Sequence, residues 1–179
     1  SMPVSKDGQI FNTFFYFDPQ GGILPVYEKL HLFKLTGEHH YFKAGSRLGI
    51  LDAEFGKIGF MICYDLRFPE LARALALSGV QIMLVCAQWP TPRKQHWKTL
   101  LQARAIENQI FVIGCNRTGS EAGLDFPGMS MIIDPLGRVL FEGSDTEGAG
   151  WGRIDLTLVA DAQATIPCRD DRRSDLYGA

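Results

Sequence analysis

The residues most able to do chemistry surround Cys63. A short apolar run rich in strand formers, 57–62, ends at this cysteine, and Pro69 opens a pattern of apolar residues with helical period. This order predicts a strand-to-helix turn at Cys63. Open α/β folds place ligand crevices at such strand ends, and the free N–H groups of a helix start favour negative charge, so a thiolate or an oxyanion would be stabilised here. The alternative is that Cys63 is a buried small hydrophobe, as most free cysteines are.

A nucleophilic cysteine needs partners, because a thiol with an ordinary pKa of about 8.5 is mostly protonated at neutral pH. Lys29, at the end of a predicted strand with apolar neighbours, is a candidate to stabilise an oxyanion. The alternative is a surface lysine whose aliphatic stem lies along these apolar neighbours while its ammonium reaches water. Glu38, in the loop that follows, is placed to hold this lysine or to take a proton. His31 is the alternative, as the base of a Cys-His hydrolase, although a histidine so close to a strand end also suits a structural role.

The composition is that of one soluble domain. The chain has 179 residues, 46% of them hydrophobic and 21% charged, which is enough for a sizeable core in a single domain over residues 1–179. A net charge of −2 argues against nucleic acid or an anionic membrane as a partner, since both need clustered Lys and Arg. No apolar run reaches the roughly 18 residues that cross a bilayer, and the start does not resemble a signal peptide, so we expect a cytoplasmic protein.

The cysteines and histidines give no metal-binding pattern. The four cysteines lack C-x-x-C spacing, which favours free thiols in a reducing compartment over a zinc site or a disulfide framework. They are Cys63, Cys86, Cys115 and Cys168. His39 and His40 are adjacent and have no partners at ligand spacing, which is typical of a solvated loop. We therefore expect neither a metal nor a cofactor.

Two hairpins of similar build flank the Cys63 region. The first has strands over 10–17 and 23–29 around a turn at 18–22, and the second has strands over 129–133 and 138–142 around a turn at 134–137. Both turns read D-P-x-G. This likeness suggests two sheets of similar build that face each other, or only a common turn chemistry.

Between the hairpins, buried strands alternate with helices. A short strand around 48–51 comes first; the helix from Pro69 then ends near Ser78-Gly79, and an almost wholly apolar strand over 80–87 completes a parallel strand-helix-strand crossover with the Cys63 strand. A helix from Thr91-Pro92 to Asn108-Gln109, a strand over 110–115, a turn over 116–119 and a last strand over 151–156 follow. The charged tail over 167–179 suggests a surface or subunit-contact extension. This alternation predicts an α/β layered sandwich.

Several sequence blocks together resemble the carbon–nitrogen hydrolase (nitrilase) superfamily. They are Y-E-K-L-H-L-F at 27–33 followed by Glu38, F-M-I-C-Y-D-L-R-F-P-E at 60–70, W-P at 89–90, R-A-I-E-N at 104–108 and N-R-T-G at 116–119. Within the superfamily the chain is most similar to the ω-amidase branch, which hydrolyses the terminal amide of short dicarboxylic monoamides such as 2-oxoglutaramate. The resemblance implies a nitrilase-like α-β-β-α sandwich, of which this chain would supply the C-terminal part.

The resemblance also implies roles for individual residues, because a Glu-Lys-Cys triad does the chemistry in this family. Cys63 would be the nucleophile. Lys29 would stabilise the tetrahedral intermediate together with the backbone N–H of Tyr64, and Glu38 would be the second glutamate, which positions the lysine and the substrate. His31 would then be structural.

Residues that would contact the rest of the substrate are less sharply indicated. By resemblance Trp89 and Phe68 would border the pocket, unless they are core aromatics. The far carboxylate of a dicarboxylic monoamide suits an arginine, for which the candidates are Arg67, Arg93, Arg104 and Arg117. Arg67 is also placed to pair with Glu70 and brace the turn, and Asp65 to cap the helix or orient nearby N–H groups.

No residue of this sequence matches the general-base glutamate of the family, which lies on a segment upstream of the first hairpin. We therefore expect residues 1–179 to be an N-terminally incomplete family domain that is inactive and poorly folded by itself. The resemblance further implies a small-molecule amide substrate and a homodimer. The alternatives are the Cys-His hydrolase with His31 as base, and a catalytically incomplete, assembly-only or binding module of the same fold.

Overall fold

The computed structural model describes residues 1–177, and their side chains as far as residue 176. The strands are β1 Met2–Lys6, β2 Gln9–Phe17, β3 Ile23–Glu28, β4 Gly49–Ala53, β5 Gly56–Ile62, β6 Ile82–Ala87, β7 Phe111–Asn116, β8 Thr118–Glu121, β9 Leu124–Pro127, β10 Met131–Ile133 and β11 Val139–Glu142. The helices are α1 Glu38–Tyr41, α2 Pro69–Leu77, α3 Lys94–Asn108, α4 Thr157–Thr165 and α5 Ser174–Tyr177.

A six-stranded sheet in the order β11-β10-β7-β6-β5-β4 forms the centre of the molecule. Strands β5, β6 and β7 are parallel, as the strand-helix-strand crossover predicts, and the flanking strands are antiparallel. Helices α2 and α3 cover one face, where Leu75, Trp97 and Leu101 are buried together with Met83. Because these apolar side chains recur at helical spacing, their burial fixes the helices on the sheet.

A second sheet of three strands, in the order β1-β2-β3, packs on the other face. Its buried contacts join Phe14 and Tyr27 to Phe60 of β5, and the rings of Phe14 and Phe60 lie 5.0 Å apart. The two D-P-x-G hairpins therefore belong to two different sheets, and a helical layer covers the larger one. This arrangement confirms the predicted α/β sandwich.

Two of the predicted elements are wrong. Residues 151–156 form no strand: Trp151 is exposed, while Ile154 and Leu156 pack beside α4 as irregular chain. Their alternating apolar pattern instead reflects packing beside α4, a helix that was not predicted from the sequence. This helix begins just after Asp155, whose side chain accepts hydrogen bonds from the backbone N–H and the hydroxyl of Thr157. Residues 116–119 are not a simple turn either, since β7 runs through 116 and β8 begins at 118.

The charged tail folds back onto the domain. Arg169 donates a hydrogen bond to the carbonyl oxygen of Leu77 at the end of α2, at 3.1 Å. A role of this tail in subunit contact stays a prediction, and its residues 178–179 lie outside the described residues. No helix within residues 1–177 has the length and apolar character to span a membrane.

Candidate active site

Cys63 lies where β5 ends. A 3₁₀ turn over Cys63–Arg67 joins β5 to α2, which confirms the predicted strand-to-helix turn. Pro69 occupies the first turn of α2, where its fixed φ and missing N–H favour an abrupt start. The backbone of Cys63 has a φ of 49°, in the left-handed region that non-glycine residues rarely adopt. Such a conformation persists only when the surrounding structure imposes it, and it is typical of functional positions.

Cys63 opens onto a cavity of about 660 Å³. Lys29, directly after β3, and Glu38, the first residue of α1, line the same cavity, as does Tyr64, which follows Cys63 in the turn. The structure thus brings together the four residues to which the sequence analysis gave catalytic roles. It places the ammonium and the thiol on one shared space, which is what their proposed partnership needs.

Lys29 and Glu38 form a close, largely buried ion pair. The Lys29 Nζ lies 2.9 Å from Oε1 and 2.6 Å from Oε2 of Glu38, and the lysine side chain is only 4% exposed. The backbone N–H of Phe33 donates to Oε2 at 2.6 Å, and the Asn12 amide donates to Oε1 at 3.4 Å. With its carboxylate held from three sides, Glu38 fixes the direction of the ammonium.

The cavity acts on the Cys63 thiol in two opposite ways. Burial raises its pKa above the ordinary value, because a thiolate loses its hydration. The positive charge of Lys29 and a hydrogen bond from the backbone of Gln88 lower the pKa, and the charge of Glu38 raises it. The resting thiol is therefore protonated at neutral pH, and its attack on a substrate requires that a base take the proton.

His31 and Phe68 are not placed as parts of the cavity wall. The Nδ1 atom of His31 lies 2.9 Å from Oδ1 of Asp65, and its ring stacks on Phe68 with centroids 3.6 Å apart. The lining of the cavity contains neither residue. That Phe68 borders the substrate pocket stays a prediction; in the structure one face of its ring stacks on His31.

Trp89 does line the cavity and is nevertheless almost fully buried. Its backbone N–H donates to Oδ1 of Asn116 at 2.7 Å, and its indole N–H donates to the carbonyl oxygen of Arg93 at 2.8 Å. The Asn116 amide also donates to the carbonyl oxygens of Trp89 and Gly128. These hydrogen bonds of Asn116 were not predicted from the sequence, since an asparagine at a strand end also suits a simple turn.

The structure separates the four arginine candidates. Arg104 is buried behind the turn, where its guanidinium donates twice to the carbonyl oxygen of Leu66 and once to Glu107, so it does not reach the cavity. Arg117 lines the cavity but pairs with Glu121.

Arg67 and Arg93 also line the cavity, and each lies over an aromatic ring, Trp89 and Phe33 respectively. Arg67 contacts Nδ1 of His96 at 3.3 Å. The expected pair with Glu70 is not among the ion pairs of the described residues. Within that part of the chain neither guanidinium has a carboxylate partner.

His39 and His40 are exposed, with ring centroids 4.0 Å apart. Over the described residues, no group of three or more His, Cys, Asp or Glu side chains is placed to hold a metal ion. The described cysteines are free thiols.

Comparison with known proteins agrees with this geometry. The chain is 47% identical over 177 residues to the 2-oxoglutaramate amidase of Bacillus subtilis (strain 168), a match that covers 99% of this chain and 68% of the relative. It is 40% identical over 141 residues to omega-amidase YafV of Escherichia coli K12, covering 78% of this chain and 54% of the relative.

Among solved structures, the fold matches XC1258 of Xanthomonas campestris, a CN-hydrolase superfamily protein with an arsenic adduct in its active site. The TM-score is 0.87 at 32% identity, over 95% of this chain and 67% of that one. The carbon-nitrogen hydrolase family model matches residues 1–164. A cysteine at a strained strand end, a lysine clamped by a glutamate across one cavity, and a family match over most of the sequence thus agree, and the chain belongs to the carbon–nitrogen hydrolase family.

Proposed function

We propose that the protein is an amidohydrolase that releases ammonia from the terminal amide of a short dicarboxylic monoamide, through a thioester on Cys63. The observation that carries this proposal is the single cavity shared by Cys63 and the Lys29–Glu38 pair. A sulfur nucleophile and a fixed ammonium around one small space are what acyl transfer from an amide needs. The names of the Bacillus subtilis and Escherichia coli relatives support the same reaction.

In the proposed reaction, the Cys63 sulfur attacks the amide carbon and the carbonyl oxygen becomes an oxyanion. The Lys29 ammonium and the backbone N–H of Tyr64 stabilise this charge. The thiol proton passes through a base to the amide nitrogen, the C–N bond breaks, and ammonia leaves behind a thioester. Water then attacks the thioester, and the products are a carboxylic acid and the free thiol.

Glu38 is a poor choice for that base. It is the only carboxylate on the described part of the cavity wall, and both of its oxygens already accept hydrogen bonds from Lys29. The phenylalanine N–H at 33 adds a third donor. We therefore keep Glu38 as the residue that positions Lys29 and do not assign the base to it.

The charges of the cavity support an anionic substrate. Lys29 and Glu38 offset each other, whereas Arg67 and Arg93 have no carboxylate partner within the described residues. Two uncompensated guanidinium groups raise the local concentration of anions and bind carboxylates through paired hydrogen bonds. A monoamide with a carboxylate at its other end would meet these arginines while its amide lies at Cys63.

The experiment is an ammonia-release assay with 2-oxoglutaramate on the intact protein and on four single variants: Cys63→Ala, Lys29→Ala, His31→Asn and Cys168→Ala. We expect the first to abolish turnover and the second to lower kcat by about 10² or more, because a transition-state partner is lost. His31→Asn keeps an N–H donor toward Asp65 but removes a base, and we expect a loss of less than about 10-fold. Cys168, which is exposed, is the control.

Other outcomes would point elsewhere. A loss in His31→Asn that equals the loss in Lys29→Ala would favour the Cys-His hydrolase. Failure of mass spectrometry to trap an acyl adduct on Cys63, with no ammonia release, would favour an assembly-only or binding member of the fold. We also propose a cytoplasmic homodimer, which light scattering of the purified protein and cell fractionation would test.

A further inference from the structure

The buried carboxylate of Asp65 joins the two segments that carry Lys29 and Cys63. Asp65 is fully buried, and it accepts four hydrogen bonds. Oδ1 accepts from the backbone N–H of His31 and contacts its Nδ1, both at 2.9 Å. Oδ2 accepts from the Tyr27 hydroxyl at 2.8 Å and from the backbone N–H of Ile62 at 2.9 Å.

These partners flank the catalytic candidates on both sides. Tyr27 and His31 each lie two residues from Lys29, and Ile62 directly precedes Cys63. The Tyr27 hydroxyl also accepts from the backbone N–H at residue 30, at 3.2 Å, so the chain is held immediately after Lys29 as well. One side chain therefore fastens the end of β3 to the end of β5.

The His31 ring strengthens this connection. A carboxylate is an acceptor only, so the proton of the His31 ring lies on Nδ1 and is donated to Asp65. The ring stacks on Phe68, just after the 3₁₀ turn, with an interplanar angle of 9°. The segment after Lys29 is thus held by Asp65 in the middle of the turn that begins with Cys63 and by Phe68 just after that turn.

A buried carboxylate is costly unless its hydrogen bonds are complete, and then it favours one arrangement of the groups around it. Catalysis by a lysine and a cysteine needs such an arrangement, because a misplacement of about 1 Å can cost on the order of 10² in rate. We propose that Asp65 is a positioning residue that sets the Lys29 ammonium against the Cys63 thiol, through Tyr27 and His31. This proposal rests on the roles of Lys29 and Cys63 in the proposed function.

The test follows the reactivity of Cys63 toward iodoacetamide as a function of pH, which requires no amide turnover. Lys29 lowers the pKa of this thiol, so a variant in which the ammonium is displaced has a higher alkylation pKa. We expect Tyr27→Phe to move the profile to higher pH and to slow alkylation at pH 7 about 3- to 10-fold. The same substitution in a Lys29→Ala background is expected to cause no further change, because Tyr27 acts through the lysine. Tyr41→Phe, at an exposed tyrosine, is the matched control.

Asp65→Asn is the second variant. It keeps the shape of the side chain but replaces one acceptor oxygen by an NH2 group, which cannot accept a hydrogen bond. We expect the same shift in profile and a fall in kcat with a smaller change in KM. If Asp65→Asn does not fold, the Tyr27→Phe pair decides alone. Equal shifts with and without Lys29, or an unchanged profile in Tyr27→Phe, would overturn the proposal. Absence of amide turnover in the intact protein, beside the expected alkylation shifts, would contradict the proposed function instead.

Discussion

At the scale of single residues, the arginines that line the cavity are the groups that we propose to bind the far carboxylate of the substrate. Arg67 lies 4.7 Å from the centroid of the Trp89 ring and has no carboxylate partner among the described residues. If it binds the far carboxylate of the substrate, Arg67→Gln should raise KM for 2-oxoglutaramate about 10-fold or more and leave kcat/KM for a neutral short amide within about 3-fold. Steady-state ammonia release with both substrates measures this. Arg153→Gln, at an exposed arginine, is the control, and an equal loss on both substrates would contradict the assignment.

The reactive side chains that line the cavity could be named from the sequence, whereas the contacts of aromatic rings could not. Cys63, Lys29 and Glu38 could be named because a strand end, a turn and a charged residue leave marks in the sequence. Phe68 was assigned to the border of the pocket by family resemblance, and only the coordinates show that its ring stacks on His31. The choice among arginines also needed coordinates, since only the burial of Arg104 behind the turn removes it from the cavity.

At the scale of elements, α3 lies so close to β7 that one position of the strand admits no side chain. A Cβ atom on Gly114 would lie 2.7 Å from Cδ1 of Leu101 and 2.8 Å from Cζ2 of Trp97, both of which are fully buried. Gly114→Ala should therefore lower the free energy of unfolding by about 1–3 kcal/mol through overpacking. Gly148→Ala is the matched control, because nothing lies within 4 Å of its Cβ. Urea denaturation of the two variants measures the difference, and equal stabilities would show that the helix shifts at no cost.

Helices and strands whose apolar residues repeat with one clear period were predicted well. Segments whose conformation depends on contacts with distant parts of the chain were not. The crossover from β5 through α2 to β6 follows from a buried run, a helical repeat and a glycine stop. The irregular chain over 151–156 shows alternating apolar residues because it packs beside α4, not because it pairs with a strand. Within the described residues, strands β8 and β9 pair with each other alone, and at four residues each they are too short to show a clear period.

At the scale of the whole molecule, the two sheets meet around Tyr27, and this makes the stability of the fold depend on alkaline pH. Burial raises the pKa of the Tyr27 hydroxyl far above its ordinary value of 10.0, and the nearby Asp65 carboxylate raises it further. The folded state therefore keeps a proton that the unfolded chain releases above about pH 10. Stability is fully present below that pH and should fall by up to about 1.4 kcal/mol per pH unit above it.

Tyr27→Phe should remove the part of this slope that Tyr27 causes, because phenylalanine has no proton to release. Burial also raises the pKa values of Cys63 and Cys86 above 9.0, so a loss of the same sign should remain in the variant and begin at lower pH. Urea denaturation between about pH 8 and pH 11 gives the change in the free energy of unfolding per pH unit for each protein. These slopes are compared, and not the absolute stabilities, because the variant also loses its hydrogen bond to Asp65. Tyr41→Phe, whose tyrosine is exposed, should keep the slope of the unmodified protein. Equal slopes in Tyr27→Phe and Tyr41→Phe would mean that the tyrosine between the sheets ionises without unfolding the protein.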